Sequence, residues 1–196
     1  IHHRVKNNLQ IVTSFLNLQG RQLRDPEAKA AIAAARHRID ALAIVHQTLY
    51  QNERLEQVRL NPFLSGLVSH LCEALGMDDS RVEVIQSYAD VERPADDAIP
   101  MALFIVEAVT NALKYAFGPA GGQIRISLDV DVDGTTLVIS DNGRGFDPAD
   151  TSETQNGGGL GSKLMAAFSR QLSAELTVEA SINGGCRLTL FMPRDA

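Results

Sequence analysis

The stretch SDNGRGFD, residues 140–147, closes the strand-like run TTLVIS (135–140) and sets Asp141 where that run stops. Gly143 and Gly145 give the following backbone freedom to turn tightly or to approach a ligand closely. Upstream, FIVEAVTNALKYAF (104–117) puts Val106, Val109 and Leu113 on one helical face and Glu107, Asn111 and Lys114 on a polar stripe. In so apolar a helix such a stripe must find partners. An Asn amide oxygen and a Glu carboxylate one turn apart suit a hard cation such as Mg²⁺, and Lys114 suits phosphate oxygens; a plain exposed helix face is the competing reading. Downstream, NGGGLGSKLM (156–165) opens a helix with four glycines in five positions. Unpaired N–H groups at such a helix start suit phosphate, although flexible loops share the composition. The run is not a phosphate-binding loop of the Gly-Lys-Ser/Thr type.

Around this centre the sequence predicts helices layered on a mixed sheet, an α+β class. NPFLSGLVSHLCEALGM (61–77) reads as a helix with Asn61 as cap and Pro62 at its first position, and RVEVIQSY (81–88) alternates like a strand. Residues 97–117 read as one long helix. QIRISLDVDV (123–132) and TTLVIS read as a hairpin turning near Asp133-Gly134. A helix running to about Leu172 precedes two last strands, AELTVEA (174–180) and CRLTLFM (186–192), joined through Asn183-Gly184-Gly185.

The first segment has a different period. Val5, Leu9, Val12, Leu16 and Leu23 form a heptad seam with Gln19 in the missing place, and Ile11, Phe15 and Leu18 form a second seam beside it. RDPE (24–27) stops one helix and starts another, whose stripe holds Ile32, Ile39, Leu42, Val45 and Leu49. One hairpin buries little, so two hairpins forming a four-helix bundle in a homodimer complete it. The boundaries expected are 1–58 for the hairpin and 59–196 for the second domain. The heptad is already running at Ile1, which suggests an upstream part beyond this chain.

His2 falls on the apolar seam, where a histidine is ordinarily a packed core residue. His3 falls on an all-polar line with Asn7, Gln10, Ser14, Asn17 and Arg21, and so faces water. A nucleophile must be reachable and needs a free ring nitrogen near neutral pH, which His3 supplies.

Composition bounds the rest. The 196 residues carry a net charge of −6, unevenly spread. Residues 1–60 hold nine Lys/Arg and five Asp/Glu; residues 61–196 hold nine and nineteen. That balance argues against nucleic acid as the main partner. The two cysteines, Cys72 and Cys186, suggest neither a disulfide framework nor a metal cluster and fit a reducing cytoplasm. No apolar run reaches the ~20 residues of a membrane span.

A helical E-x-x-x-N, then D-x-G-x-G after a strand, then helix-opening glycines together resemble the Bergerat ATP-binding fold of gyrase-type topoisomerases, Hsp90-type chaperones, mismatch-repair ATPases and histidine kinases. The resemblance covers about residues 60–193. It implies that Asn111 binds Mg²⁺ with Glu107 beside it, and that Lys114 faces the ATP phosphates. By the same resemblance Asp141 accepts from the adenine amino group, Gly143 and Gly145 line the adenine pocket, and Gly157, Gly159 and Gly161 form the hinge and phosphate end of a lid. Many relatives carry Gly-Thr at the start of the last strand; here Cys186 stands there, with Thr189 a possible substitute.

HHRVKNNLQIVTSFLNLQ (2–19) further resembles the phosphoacceptor helix of bacterial sensor histidine kinases of the HWE-related branch, as does TNALKYAF (110–117). That resemblance makes His3 the phosphoacceptor. It implies ATP-dependent autophosphorylation, then transfer to an aspartate in the receiver domain of a separate response regulator, in a cytoplasmic homodimer whose sensor domain lies upstream. Arg4 stands where an acidic base often follows the phosphoacceptor, which leaves Glu107 as the candidate base. The tryptophan that names the HWE group is absent, since the chain has no Trp. Two rivals remain. A noncatalytic nucleotide-binding scaffold would bind ATP without labelling His3, and a plain ATPase of this fold would leave the histidine hairpin idle.

Overall fold

The computed structural model describes residues 2–50, 57–75, 77, 81–145, 160–181 and 184–194. Two helices, α1 (His2–Gln22) and α2 (Pro26–Tyr50), form the hairpin, with the break at residues 23–25 where RDPE predicts it. Arg36 Nη1 donates to Asn17 Oδ1 at 2.8 Å and Thr13 Oγ1 to Asp40 Oδ1 at 3.0 Å, tying the two together. Leu9, Leu16 and Leu23 of the first seam are half-buried, but Val12 of the same seam is 43% exposed. The second seam is exposed: Ile11 is 66%, Phe15 58% and Leu18 59% accessible. Of the polar line, Gln10, Ser14, Asn17 and Arg21 face solvent. The side chains of His2, His3 and Asn7 lie outside the described residues, although both histidines belong to the first turn of α1.

The second unit is a five-stranded sheet in the order β2-β4-β5-β7-β6, built from Val82–Tyr88, Gly122–Val130, Gly134–Asp141, Cys186–Pro193 and Glu175–Ala180. β2 runs parallel to β4 and the other pairs are antiparallel, so the sheet is mixed as expected. β1 (Gln57–Arg59) and β3 (Glu92–Pro94) form a separate short antiparallel pair that sequence reading missed. Alternation puts Ile124, Ile126 and Leu128 of β4, Leu137 and Ile139 of β5, and Leu190 and Met192 of β7 in the core. They meet the apolar faces of α3 (Leu60–Ala74) and α4 (Ala95–Asn111), with Phe63, Leu64, Leu67, Phe104 and Ile105 all buried.

Two boundaries differ from expectation. α3 starts at Leu60 after Arg59, with no side-chain cap; Asn61 is already inside the helix and accepts from Ser65 Oγ at 3.4 Å. The start is fixed instead by the Leu60 N–H donating to the Val91 carbonyl at 2.9 Å, a contact across sequence that no local cap signal encodes. α4 does not run uniformly to 117 but widens into a π turn over Ala112–Ala116. α5 (Leu160–Gln171) packs on α4. The stretch 95–116 is long and apolar enough to cross a membrane, but it is the core helix of this fold and 61% of its most apolar window is buried.

Candidate nucleotide site

The polar stripe of α4 has found its partners. Glu107 is only 4% exposed, and the guanidinium of Arg38, reaching from α2, donates to both of its carboxylate oxygens. Nη2 lies 2.8 Å from Oε2, while Nε engages Oε1. A carboxylate so buried is stable only when paired. The same hydrogen bond holds the Arg38 guanidinium more firmly protonated, against the opposing effect of its partial burial. Asn111, one turn on, is half-buried and Lys114 is exposed. Gly161, in the first turn of α5, closes this end: a Cβ there would sit 3.1 Å from Glu107 Oε2 and 3.5 Å from Asn111 Nδ2. Thr110, beside them, is 8% exposed, and its hydroxyl finds no hydrogen-bond partner among the described residues. The space between Ala34, Arg38, Val106, Glu107, Thr110, Asn111 and Lys114 is ≈ 20 Å³.

Asp141 ends β5, as the strand-end reading requires, and is half-buried. Its Oδ1 accepts from the Gly143 N–H at 2.9 Å, folding the loop into an Asx turn that leaves the second oxygen outside the turn. The loop then docks on the π turn: the Arg144 N–H donates to the Ala116 carbonyl at 2.9 Å. Gly143 is required by that approach, because a Cβ would overlap Ala116. Gly185 is required twice over. Its φ is +80°, and a Cβ would overlap the carbonyl and carboxylate oxygens of Asp141. Sequence reading assigned Gly185 only to a turn; the cue was the glycine pair falling just before the strand next to β5.

The register of β7 decides between Cys186 and Thr189. Arg187 pairs with Ser140 and Thr189 with Val138, so Cys186 is the residue level with Asp141 and Thr189 lies deeper in the strand. Burial, and secondarily the charge of Asp141, push the Cys186 thiol up to about 11.

The structure thus brings Glu107, Asn111 and Gly161 together at one end of α4, with Lys114 one turn beyond. It ties the Asp141–Gly143 turn to the end of the π turn that continues the helix and sets Gly145 beside Gly185. Gly157 and Gly159 lie outside the described residues, as does the side chain of His3. The residue that sequence reading missed is Arg38, whose partner is 69 positions away. No local period reports such a contact.

These residues fit the groups that the resemblance implies. Thr110 Oγ1, an orphaned buried hydroxyl of a kind that costs about 1–3 kcal/mol, points to polar ligand chemistry beside Asn111. Among the described residues no three His, Cys, Asp or Glu side chains converge to cage a metal. A cation here would be held by few protein oxygens, which suits Mg²⁺, an ion that keeps its waters and leans on substrate phosphates. Gly185 keeps the space beside the Asp141 carboxylate free of a side chain.

Comparison with known proteins finds two family matches along the chain. Residues 1–75 match a family described as histidine kinase, and residues 96–196 match the histidine kinase-, DNA gyrase B- and HSP90-like ATPases. The chain is 28% identical over 196 residues to the sensor histidine kinase PdtaS of Mycobacterium tuberculosis, covering 98% of this chain and 38% of that protein. It is 28% identical over 185 residues to the blue-light-activated histidine kinase 2 of Erythrobacter litoralis, covering 91% and 51%. The chain therefore spans well under two thirds of the length of these curated relatives. Its fold is similar to the histidine kinase domain of the Erythrobacter litoralis EL346 blue-light-activated kinase, with a TM-score of 0.70, 24% identity and coverage of 98% and 88%. The ATP-binding domain of PrrB from Mycobacterium tuberculosis aligns with a TM-score of 0.54 at 22% identity, covering 71% of this chain and 97% of that one.

Proposed function

The chain belongs to the histidine kinases, of the branch related to the HWE group, and from that membership we propose that it is the ATP-dependent catalytic core of a sensor kinase that phosphorylates its own His3. The observation that carries the reading is the meeting of Asn111 and Glu107 with Gly161, where a glycine-opened helix faces an oxygen-rich turn of α4. In this reading residues 1–58 are the dimerisation and phosphotransfer hairpin and 59–196 the ATP-binding domain.

ATP is the substrate. The outer oxygen of Asp141 accepts from the adenine amino group, and Gly143 and Gly145 line the ring's pocket. Gly157, Gly159 and Gly161 supply lid backbone at the phosphates, and Lys114 offers its ammonium there. Asn111 holds Mg²⁺, which when bound offsets the negative charge of the phosphates. A ring nitrogen of neutral His3 attacks the γ-phosphorus in line. The N–P bond forms as the bridging P–O bond breaks, ADP departs with that electron pair, and the imidazole's remaining N–H proton passes to water or a base. Glu107 can take that proton only after Arg38 releases it, because both its oxygens are engaged. The phosphoryl group then passes to an aspartate of a response-regulator receiver domain. The exposed Ile11, Phe15 and Leu18 face supports a homodimer through α1, and the setting is cytoplasmic, with a sensor domain upstream.

Incubation with γ-labelled Mg–ATP tests this, comparing wild type with His3→Gln, His2→Gln and Asn111→Asp. Acid-labile, base-stable label should vanish with His3→Gln and Asn111→Asp and persist with His2→Gln. Label that survives His3→Gln, or ATP bound without any label, overturns the reading.

A further inference from the structure

One face of α2 packs over the Glu107–Asn111 end of the candidate site. Ala34, Arg38 and Val45 lie four and seven residues apart, on a single helical stripe. Val45 has 0% exposure and belongs to the same buried cluster as Leu60, Leu64 and Phe104, so this face docks on the core of the second unit rather than on α1 alone. α2 contacts both α3 and α4. At the end of the docked face Arg38 occupies both oxygens of Glu107, beside Asn111 and Gly161. A Cβ on Gly161 would lie 3.7 Å from Arg38 Nη2, so α2, α4 and α5 converge on one point. The ≈ 20 Å³ left there has room for about one water molecule and none for a triphosphate. No triphosphate passes while the guanidinium is in place.

We propose that Arg38 is a latch: it docks the hairpin on the ATP-binding domain by capturing Glu107, and in doing so it bars the phosphate end of the site, so that nucleotide binding and release of the hairpin are coupled. This rests on reading the Asn111–Glu107 end as the phosphate end of an ATP site. The chemistry of competition is symmetrical. Arg38 is the cation that neutralises Glu107 in the docked state, and Mg–ATP brings both a rival cation for the Glu107–Asn111 turn and an anion that attracts the guanidinium away. A ligand that binds only the undocked form shifts the equilibrium toward it, and undocking raises that ligand's affinity by the same factor. The device also explains how one carboxylate is held idle in one state and released in another.

The test is calorimetric titration of the full chain with Mg–ATP, paired with amide hydrogen exchange over residues 34–45. Arg38→Ala should bind on the order of tenfold more tightly than wild type, the factor expected when a docked state of about 90% is removed. Arg38→Lys should fall between, because an ammonium cannot grip both oxygens in a fork. Arg36→Ala removes an arginine from the same helix that bonds Asn17 instead, and should bind as wild type does. Exchange over 34–45 should rise in Arg38→Ala without nucleotide and in wild type with saturating Mg–ATP. If wild type binds and Arg38→Ala binds equally or more weakly with unchanged exchange, the latch is wrong and the nucleotide site stands. If no variant, wild type included, takes up Mg–ATP, the site reading itself fails and the latch falls with it.

Discussion

α1 and α4 are both helices with an apolar stripe and a polar one, yet they end in opposite situations. In α4, Met101, Phe104, Ile105, Ala108 and Val109 are all buried, and its polar stripe meets Arg38 and the start of α5. In α1, Ile11, Phe15 and Leu18 stay more than half exposed, and Gln10, Ser14, Asn17 and Arg21 of the polar line are exposed as well. The chain completes the surroundings of α4 by itself and leaves those of α1 unfinished. The candidate nucleotide site is built within one chain, whereas α1, which carries the proposed phosphoacceptor, leaves its apolar face open.

The largest expected effect separates the two helices by stability. Phe104→Ala should cost about 3–5 kcal/mol in denaturant unfolding, as truncation of a fully buried aromatic does. Phe15→Ala in the dissociated chain should cost about 0.5 kcal/mol or less. Similar losses at both positions would erase the contrast. Next, Gly185→Ala should weaken Mg–ATP binding on the order of a hundredfold while the protein stays folded, because strain and overlap fall on Asp141. Binding at wild-type affinity would show that the carboxylate is not the nucleotide contact. Third, Phe15→Ala should raise the dimer dissociation constant about tenfold in sedimentation equilibrium, with ATP affinity unchanged. A chain that is monomeric before the mutation would break the reading of α1.

The smallest effect concerns Cys186. Its folded-state thiol is held up to about 11 against an ordinary 9.0, by burial first and the Asp141 charge second. The unfolded chain therefore releases this proton at lower pH. The contribution to stability is full below about 9 and is lost as pH rises toward about 11. Alkylation of Cys186 by iodoacetamide at pH 8 should be slower than that of a free thiol, and Asp141→Asn should speed it slightly. A rate equal to that of a free thiol would place Cys186 away from Asp141.

Most of the fold was legible because the chain changes period where the structure changes. Heptads stop before 60, alternation marks β2, β4, β5 and β7, and Asp133-Gly134 turns the hairpin between β4 and β5. What escaped was non-local. Arg38 reads as an ordinary helical cation until Glu107 is folded against it. Asn61 has the chemistry of a cap, but the Val91 carbonyl fixes the start of α3. The π turn after Asn111 leaves no compositional trace in ALKYA, yet its final carbonyl anchors the Asp141 loop. Gly185 looked like half of a turn because the carboxylate it makes room for lies in another strand. Residue types and their order thus reported the candidate site, while its closure depended on contacts between distant parts of the chain.

The most direct measurement is peptide mapping, at neutral pH, of the full chain after reaction with Mg–ATP, reading which side chain carries the phosphoryl group. The account predicts phosphate on His3, present in wild type and abolished by Asn111→Asp. Phosphate on His2 or on another residue, or none while ATP is bound, would contradict it.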